Sequence, residues 1–507
     1  RKEAILTAAV LAALSANAYA AEITLENNHT VGSNYNLVSS AGNIKLDTDN
    51  GPTTNNLILG GWSKYTGNSI YNIFSGTEIA PENRNVENIA IGDVVKIKDS
   101  DYGLMIGNHI SNENDVDSIK KYGRRSTMIK GDHITVKNSP HATVLGQDST
   151  VTNSYGAFVH GKDNVVENAT WSVVMGQGAT AKLATAEKGG SVVIGQKANT
   201  NSNFTIALGA SAAAKNYAAT AIGGGSTATG KYSLAMAQAD SNGYGSIGIG
   251  MNAVADKEDS VSLGVKSKAM GERATAIGKN ANAATTDTIS IGSCSGATGV
   301  DGTAIGHCAK AEGTSSIAMG TTSKAKAEDS VAIGHLAVAH SDLSTAIGKE
   351  AEASESGAIA VGYNAKAQGM NSIAIGSSKT VPGDPITTNT IAKGENVISI
   401  GYEAHNEASN SVAIGTNASV KHQVDDDGFT HYATYSTVVG TAAKSTRYSG
   451  TAIGYLAEVH GDDGVAVGHY ATANGRRSTA IGHSAESKAD SSIAIGEDSE
   501  VNGEFGI

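Results

Sequence analysis

The chain has 507 residues, a formal net charge of −12, and 61 Gly against only 5 Phe, 2 Trp and 5 Pro. Because large side chains provide most of the burial in a globular core, the core of each protomer must be thin. An apolar content of 40% against 17% charged residues disfavours disorder. The negative charge disfavours nucleic acid and anionic membrane as partners. No stretch is long and apolar enough for a membrane helix.

The first twenty residues have the order of a targeting segment. The basic pair Arg1-Lys2 is followed by an apolar run that ends at Leu14 and by the small-x-small triplet Ala18-Tyr19-Ala20. This order favours a signal peptide over residues 1–20, rather than an N-terminal core helix. Export would place the mature protein in an oxidising compartment.

A 14-residue repeat governs most of the chain. The glycine that closes the motif Ala-Ile-Gly recurs nine times in succession at steps of 14 residues, from Gly250 to Gly376. Before it stand Ser or Thr, a β-branched residue, Ala and a bulky aliphatic residue, as in Ser411–Gly415. Such a glycine is expected where the chain turns sharply or where another backbone approaches closely. The predicted turn glycines are Gly278, Gly292, Gly306, Gly320, Gly334, Gly348, Gly362, Gly376 and Gly415.

The repeat predicts an all-β solenoid. Each unit has two short apolar runs rich in β-branched residues, which suit strands, whereas a helix would be weakened by a Gly in every second heptad. Strands stacked at a fixed period hydrogen-bond to their equivalents in the neighbouring coils. In Val412-Ala413-Ile414 the flanking side chains point to one face and the Ala to the other. We expect the Ala face to fill the coil and the bulky face to bind another protomer.

Spacing divides the chain into four parts. After the signal peptide, residues 21–90 are predicted to cap the first coil, with a separate binding domain as the alternative. Residues 91–190 keep a looser step, mostly of 15 residues, and are predicted to form irregular coils. Residues 191–507 are predicted to form regular coils, with loop inserts near 377–390 and 417–436.

The motifs Asn371–Gly376 and Asn410–Gly415 resemble the head repeat of trimeric autotransporter adhesins, the YadA-like head. The resemblance covers roughly residues 90 to 503. It implies a left-handed parallel β-roll, a homotrimer whose core is built from the apolar face, and display on the outer membrane of a bacterium. It also implies attachment to a host matrix or cell-surface protein: collagen, fibronectin, laminin or a CEACAM-type receptor.

Two details qualify what the resemblance implies. Some heads of this type bind collagen through coils that carry Ser at the third position after the glycine, but Ala418 holds that position after Gly415. Full members of the family also have a stalk and a membrane anchor, which are not recognisable up to Ile507. Membrane contact is therefore expected only through an anchor outside this chain.

The second insert is the candidate site for a partner. Inserts in a solenoid emerge as loops on one face, where binding tends to occur, and aromatic residues are good interface anchors. The alternative is a surface loop whose aromatics pack on the roll or on a neighbouring protomer. The acidic run could hold Ca²⁺, but the ligand spacing of a Ca²⁺ loop is absent, which favours a solvated charge run. The candidate residues are Asp425, Asp426, Asp427, Phe429, Tyr432 and Tyr435.

The only two cysteines, Cys294 and Cys308, stand one repeat apart. Stacked coils would bring their Cα atoms within roughly 4.8 Å, which suits a disulfide. We predict a bridge between adjacent coils, with two free thiols as the alternative.

Two histidines, His469 and His483, directly follow the motif glycine in consecutive coils. They could meet on a three-fold axis and bind an ion, but lysines at the same position in other coils favour an outward orientation.

No catalytic motif is present, so neither an enzyme nor a cofactor is expected. The sequence therefore predicts an adhesin head. A structural spacer or self-association protein is the alternative, and a solenoid enzyme is less favoured.

Overall fold

The structure, a computed structural model, describes residues 127–507 except 186–188, 379–388 and 425–427, and the backbone of strands within residues 24–113. The predicted signal peptide lies outside the described residues. Contacts divide the chain into two compact units, Arg1–Asn252 and Ala253–Ile507. Throughout the described part of the chain the secondary structure is β-strand and turn, with no helix. No described segment therefore forms an apolar helix long enough to cross a membrane.

Each unit is a parallel β-solenoid in which every coil contributes one strand to each of two sheets, named here sheet 1 and sheet 2. The predicted all-β solenoid is thereby confirmed. Successive strands pair in register, so that Val331, Ala332 and Ile333 face Thr345, Ala346 and Ile347 of the next coil. Backbone donors and acceptors are satisfied between coils, as parallel pairing requires.

Sheet 1 carries the Val-Ala-Ile type of motif. In the first unit its strands are Asn36–Ser39, Thr54–Leu59, Ser69–Ser75, Asn85–Ile91, Asp101–Ile106, Thr127–Asp132, Thr143–Gln147, Phe158–Lys162, Val173–Gln177, Val192–Ile194, Ile206–Leu208, Thr220–Ile222, Leu234–Met236 and Ile247–Ile249. In the second unit they are Val261–Leu263, Thr275–Ile277, Ile289–Ile291, Thr303–Ile305, Ile317–Met319, Val331–Ile333, Thr345–Ile347, Ile359–Val361, Ile373–Ile375, Ile398–Ile400, Val412–Ile414, Thr437–Val439, Thr451–Ile453, Val465–Val467, Thr479–Ile481 and Ile493–Ile495.

Sheet 2 contains the second, mostly shorter strand of each coil. In the first unit its strands are Thr24–Leu25, Ile44–Asp47, Ser63–Thr66, Ile79–Glu82, Val95–Lys98, Ser111–Glu113, Thr135–Lys137, Thr150–Thr152, Val165–Glu167, Thr180–Lys182, Asn199–Thr200, Ala213–Ala214, Thr227–Ala228 and Asp240–Ser241. In the second unit they are Val254–Ala255, Lys268–Ala269, Asn282–Ala283, Gly296–Ala297, Lys310–Ala311, Lys324–Ala325, Val338–Ala339, Glu352–Ala353, Lys366–Ala367, Ile391–Ala392, His405–Asn406, Ser419–Val420, Lys444–Ser445, Glu458–Val459, Thr472–Ala473, Glu486–Ser487 and Glu500–Val501.

Parallel pairing already runs through the segment predicted to be a cap. Leu57, Ile73 and Ile89 are register partners at 16-residue steps, in strands of sheet 1. The strands there reach seven residues, against three in the regular coils. Whether this segment acts as a cap stays a prediction.

The interior of a regular coil is filled by small side chains. Over residues 331–344 the buried side chains are Ala332, Ala337, Ala339 and Ser344. The Ser344 hydroxyl donates to the carbonyl oxygen of Ser341 at 2.5 Å, so its burial leaves no unmet donor. A thin coil with four small inward side chains gains little from side-chain burial, and the ladders between coils supply much of its cohesion.

Two turns close each coil, and each places its third residue in the left-handed region. Leu336 and Leu343, seven residues apart, both have φ of 59°. The turns are closed by hydrogen bonds from Ala337 N to Gly334 O at 3.4 Å and from Ser344 N to Ser341 O at 3.2 Å. This conformation costs a non-glycine residue about 1–2 kcal/mol, and it directs the side chain outward from the turn.

Candidate functional site

The outer face of sheet 1 is the apolar surface that the repeat predicts. Along a regular strand the middle residue is buried, whereas its neighbours face outward. In the second unit the third strand position repeatedly carries a partly exposed aliphatic side chain, such as Ile347, Ile375, Ile453 and Ile481. A continuous apolar row of this kind on a surface marks a protein interface.

The predicted turn glycines lie directly after the strands of sheet 1. All nine have φ between 126° and 155°, which is reserved for glycine. Each faces the equivalent glycine of the next coil at backbone distance, as Gly334 does with Gly348. Their role in the structure is therefore steric as well as conformational.

The second insert folds as an antiparallel hairpin that departs from the two sheets. Its strands are Gln423–Val424 and Thr430–His431, with Gln423 opposite His431. Asp425, Asp426 and Asp427, which separate the two strands in the sequence, lie outside the described residues. Most of the first insert, residues 379–388, lies outside them too.

Apolar and aromatic side chains of the hairpin project away from the roll. Phe429 is 67% exposed, Tyr432 63% and Val424 61%. Phe429 contacts His431 edge-to-face, with ring centroids 5.5 Å apart. Large apolar side chains that remain this exposed on a surface are typical of interaction sites.

The base of the hairpin is fixed to the roll. Arg447 donates from Nη1 to Oε1 of Gln423 at 2.7 Å, and the backbone N of Ala433 donates to Nδ1 of His422 at 3.1 Å. His422 also packs edge-to-face against Tyr432, with centroids 5.2 Å apart. These contacts attach the base of the hairpin to the roll.

Tyr435, the third aromatic candidate, is not on the hairpin. It has φ of 63° and occupies the left-handed position of the turn that precedes Thr437–Val439. Its ring contacts that of Tyr448 in the next coil, with centroids 5.6 Å apart. Tyr435 thus belongs to the edge of the roll, and the insert offers Phe429 and Tyr432 as its own exposed anchors.

The third position after the motif glycine points into the roll. Ala418 is fully buried there, and so is Ser323, whose hydroxyl donates to the carbonyl oxygen of Gly320 at 3.1 Å. A side chain in this position is not available to a ligand. The difference between Ala418 and Ser therefore says nothing about direct contact with collagen.

The two cysteines occupy the same left-handed turn position in consecutive coils. Cys294 has φ of 58° and Cys308 of 54°. Both are free thiols in the structure, so the bridge stays a prediction. Burial raises the pKa of Cys308, and the hydrogen bond that its thiol donates to the neighbouring Cys294 raises it further.

Exposed rings follow the motif glycine near the end of the second unit. Tyr455 stacks on His469, and His469 lies over His483, each pair with centroids 5.0 Å apart. Nδ1 of His483 lies 3.9 Å from the carboxylate of Asp498. Among the described residues no three or more His, Cys, Asp or Glu side chains converge as metal ligands would.

Titratable groups on sheet 2 form pairs on the surface rather than a reactive centre. Nε2 of His405 lies 2.9 Å from Oε1 of Glu407. Burial lowers the pKa of His405 despite this hydrogen bond. Burial alone would raise the pKa of Glu407, but the hydrogen bond from His405 and the charges of Lys393 and Lys421 lower it.

The model of the YadA head domain repeat matches in twelve segments. Together they cover just over half of the chain, and most of the regular coils lie within them. The chain belongs to the YadA-like head family of trimeric autotransporter adhesins. The matched segments are 186–212, 214–236, 241–267, 269–293, 297–323, 311–337, 325–351, 339–365, 353–378, 392–418, 433–457 and 460–485. No curated protein matches the chain.

Membership in the YadA-like head family gives the coarse function. The family consists of adhesin-type proteins exposed at the cell surface, and it is non-enzymatic. Membership also implies trimeric self-association, for which the apolar outer face of sheet 1 is the suitable surface. The sequence indicated the insert, but it gave no sign that Tyr435 lies outside the hairpin, because Tyr435 follows Tyr432 closely in the chain.

Proposed function

We propose that this head attaches a bacterial cell to a host matrix or cell-surface receptor protein, and that the hairpin of the second insert makes the contact. The observation that carries the proposal is the exposure of Phe429, Tyr432 and Val424 on a projecting hairpin. Aromatic side chains dominate the binding energy of many protein interfaces. Adhesin membership supplies the cell-surface setting in which such a contact is useful.

The attachment of the hairpin to the roll favours binding. The hydrogen bond between Arg447 and Gln423 and the ring contact between His422 and Tyr432 hold its base before a partner arrives. Ordering a loop on binding costs free energy, and a base that is already fixed reduces this cost. In a trimer three copies of the hairpin would be presented together, so that weak single contacts add up through avidity.

The proposal is tested by binding of the purified head to immobilised collagen, fibronectin, laminin and a CEACAM-type ectodomain. The variant Phe429→Ser/Tyr432→Ser should weaken binding to its target at least about tenfold, the effect expected of interface anchors. Tyr470→Ser is the matched control, because Tyr470 is an exposed aromatic residue on a regular coil of the same unit. Light scattering should give both variants the mass of the unsubstituted protein.

Two results would contradict the proposal. Equal loss of binding in the Phe429/Tyr432 variant and the Tyr470 control would place the contact elsewhere. Failure to bind any host protein, combined with clumping of cells that display the head, would favour self-association instead.

A further inference from the structure

A row of aromatic side chains follows one edge of the first unit. Each member belongs to the turn that precedes a strand of sheet 1, at its second or third residue. The chain has 5 Phe, 2 Trp and 17 Tyr, and six of these aromatic residues lie in the row together with one histidine. This aromatic column consists of His141, Tyr155, Trp171, Phe204, Tyr217, Tyr232 and Tyr244.

The later part of the column is a ladder of four rings. Centroid distances are 5.5 Å from Phe204 to Tyr217, 5.6 Å from Tyr217 to Tyr232 and 5.5 Å from Tyr232 to Tyr244. Each pair is edge-to-face, so neighbouring rings are roughly perpendicular to one another. Nζ of Lys231 lies 5.4 Å from the Tyr217 centroid and 5.3 Å from that of Tyr232, close enough for cation–π attraction.

The earlier part of the column has the same geometry. His141 and Tyr155 have centroids 4.7 Å apart, and Tyr155 and Trp171 5.0 Å apart, both edge-to-face. Gly190 occupies the turn between the two parts, and a Cβ on it would lie 3.6 Å from Cδ1 of Phe204. The absence of a side chain at Gly190 leaves the surface beside Phe204 open.

Four of the seven rings of the column are exposed, and His141, Tyr155 and Tyr217 are partly buried. Trp171 is 62% exposed, and Phe204, Tyr232 and Tyr244 are between 47% and 49% exposed. Trp171, Phe204 and Tyr232 hold the left-handed position, with φ of 56°, 57° and 59°. An exposed apolar strip of this extent is unusual on a protein surface and marks an interaction site.

A row of uncharged polar groups accompanies the later part of the column. Nδ2 of Asn216 donates to the carbonyl oxygen of Thr229 at 3.3 Å, and the Thr229 hydroxyl donates to Oδ1 of Asn242 at 2.8 Å. Asn216 directly precedes Tyr217, and Asn242 is two residues before Tyr244. Beside the rings therefore lie amides and a hydroxyl, together with the single ammonium group of Lys231.

The same turn position has a different character in the second unit. It often carries charged side chains there, such as Asp259, Asp301 and Asp329, and Arg273 binds both carboxylate oxygens of Asp287 at 2.6 and 2.7 Å. Charged side chains at a repeating position indicate that this edge faces water. We therefore expect trimer contacts on the apolar outer face of sheet 1 rather than on this edge.

The geometry points to a linear, neutral glycan as the ligand of the aromatic column. A sugar ring has an apolar C–H face that stacks on an exposed aromatic ring, and its hydroxyls pair with amides such as those of Asn216 and Asn242. Phe204 and Tyr232 are two coils apart, which is about 9.6 Å for a β-ladder. An extended β-1,4-linked glycan repeats its disaccharide over a similar length. A proline-rich peptide is less suited, since such peptides bind in aromatic-lined grooves and not along a turn edge.

The test uses the full chain and hexasaccharides of β-1,4-linked glucose and β-1,4-linked N-acetylglucosamine. Calorimetry should show saturable binding of at least one sugar, and the fluorescence of Trp171 should change on binding, since the only other tryptophan is Trp62. The variant Phe204→Ala/Tyr232→Ala should weaken binding at least about tenfold. The control Leu343→Ala, at the equivalent turn position of the second unit, should bind as the unsubstituted protein does.

Circular dichroism and melting of each variant establish that the roll is intact. Absence of saturable binding of both sugars overturns the proposal, as does binding that the Phe204/Tyr232 variant retains in full. Capture of a proline-rich peptide by these rings in place of the sugars would overturn it as well. The Phe429→Ser/Tyr432→Ser variant should keep its glycan affinity, so failure of the host-protein proposal and failure of this one are distinguishable.

Discussion

A Cβ atom built on Gly334 would lie 2.4 Å from the carbonyl oxygen of Gly348 in the next coil. The contact is with backbone, which cannot rotate away as a flexible side chain could. Gly334 also has φ of 133°, a conformation that residues with a side chain avoid. The repeated glycine is therefore required by close stacking of coils as well as by the turn.

Gly334→Ala should destabilise the roll by about 3 kcal/mol or more, since it combines backbone strain with a steric clash. Gly296→Ala is the matched control, because no atom lies within 4 Å of its Cβ position and its φ is ordinary. The control should change stability by no more than about 0.5 kcal/mol. Chemical denaturation followed by circular dichroism compares the two, and equal stability would contradict the stacking argument.

Ile347→Asp/Ile375→Asp should convert the trimer to monomers. Both residues face outward from sheet 1, where burial of three carboxylates at each level would leave unpaired charge in an apolar interface. Val338→Asp is the control, because Val338 lies in sheet 2 and its side chain points outward from that sheet. Sedimentation velocity should separate the two variants, and a trimer that survives in the first would place the interface on another face.

Oxidised protein should contain a bond between Cys294 and Cys308, and intact mass should be lower by two hydrogen atoms than after reduction. The bridge would close a short loop between adjacent coils, and its loss should cost up to about 3 kcal/mol. The variant Cys294→Ser/Cys308→Ser cannot form the bridge, and its melting temperature is the reference for the oxidised protein. If both thiols react with an alkylating reagent in unreduced protein, the bridge is absent, and the raised pKa of Cys308 should then make it slow to react near neutral pH.

Stability should fall on acidification through His405. Because burial places its folded pKa below the ordinary value, the unfolded chain takes up a proton first as the pH falls below about 6.5. Above that pH, neutral His405 makes its full contribution to the free energy of unfolding. This contribution is lost as the pH falls from the pKa of His405 in the unfolded chain to its lower pKa in the folded protein. His405→Gln should make the melting temperature of the roll less dependent on pH across this window, and an unchanged dependence would contradict the assignment to His405.

The repeat allowed the fold to be predicted because its signals are local. Ala332 points inward and Ile333 outward through strand alternation alone, and Gly334 marks the turn in the sequence. The left-handed residues Leu336 and Leu343 could not be found in this way. That position accepts leucine, aspartate, tyrosine or cysteine, so the stacking of coils imposes the conformation without a matching residue type.

The candidate surfaces were only partly predictable. The length of the insert and its aromatic residues indicated Phe429 and Tyr432 as exposed residues of a loop. The sequence does not show at which residue the loop ends and the coil resumes, so the position of Tyr435 in a turn of the roll could not be predicted. The aromatic column was missed because Phe204, Tyr217, Tyr232 and Tyr244 follow one another at steps of 13, 15 and 12 residues. These steps differ from the 14-residue period because the rings stand at either the second or the third residue of the turn. Those two residues are neighbours in space, so the rings still form one row.

The most direct test of the account is the solution mass of the chain, by light scattering over a range of concentrations. A YadA-like head whose outer face of sheet 1 is buried between protomers should have three times the protomer mass of 51.3 kDa, with and without reductant. The mass of a single protomer at every concentration would contradict the account, because the apolar face would then be stable in water.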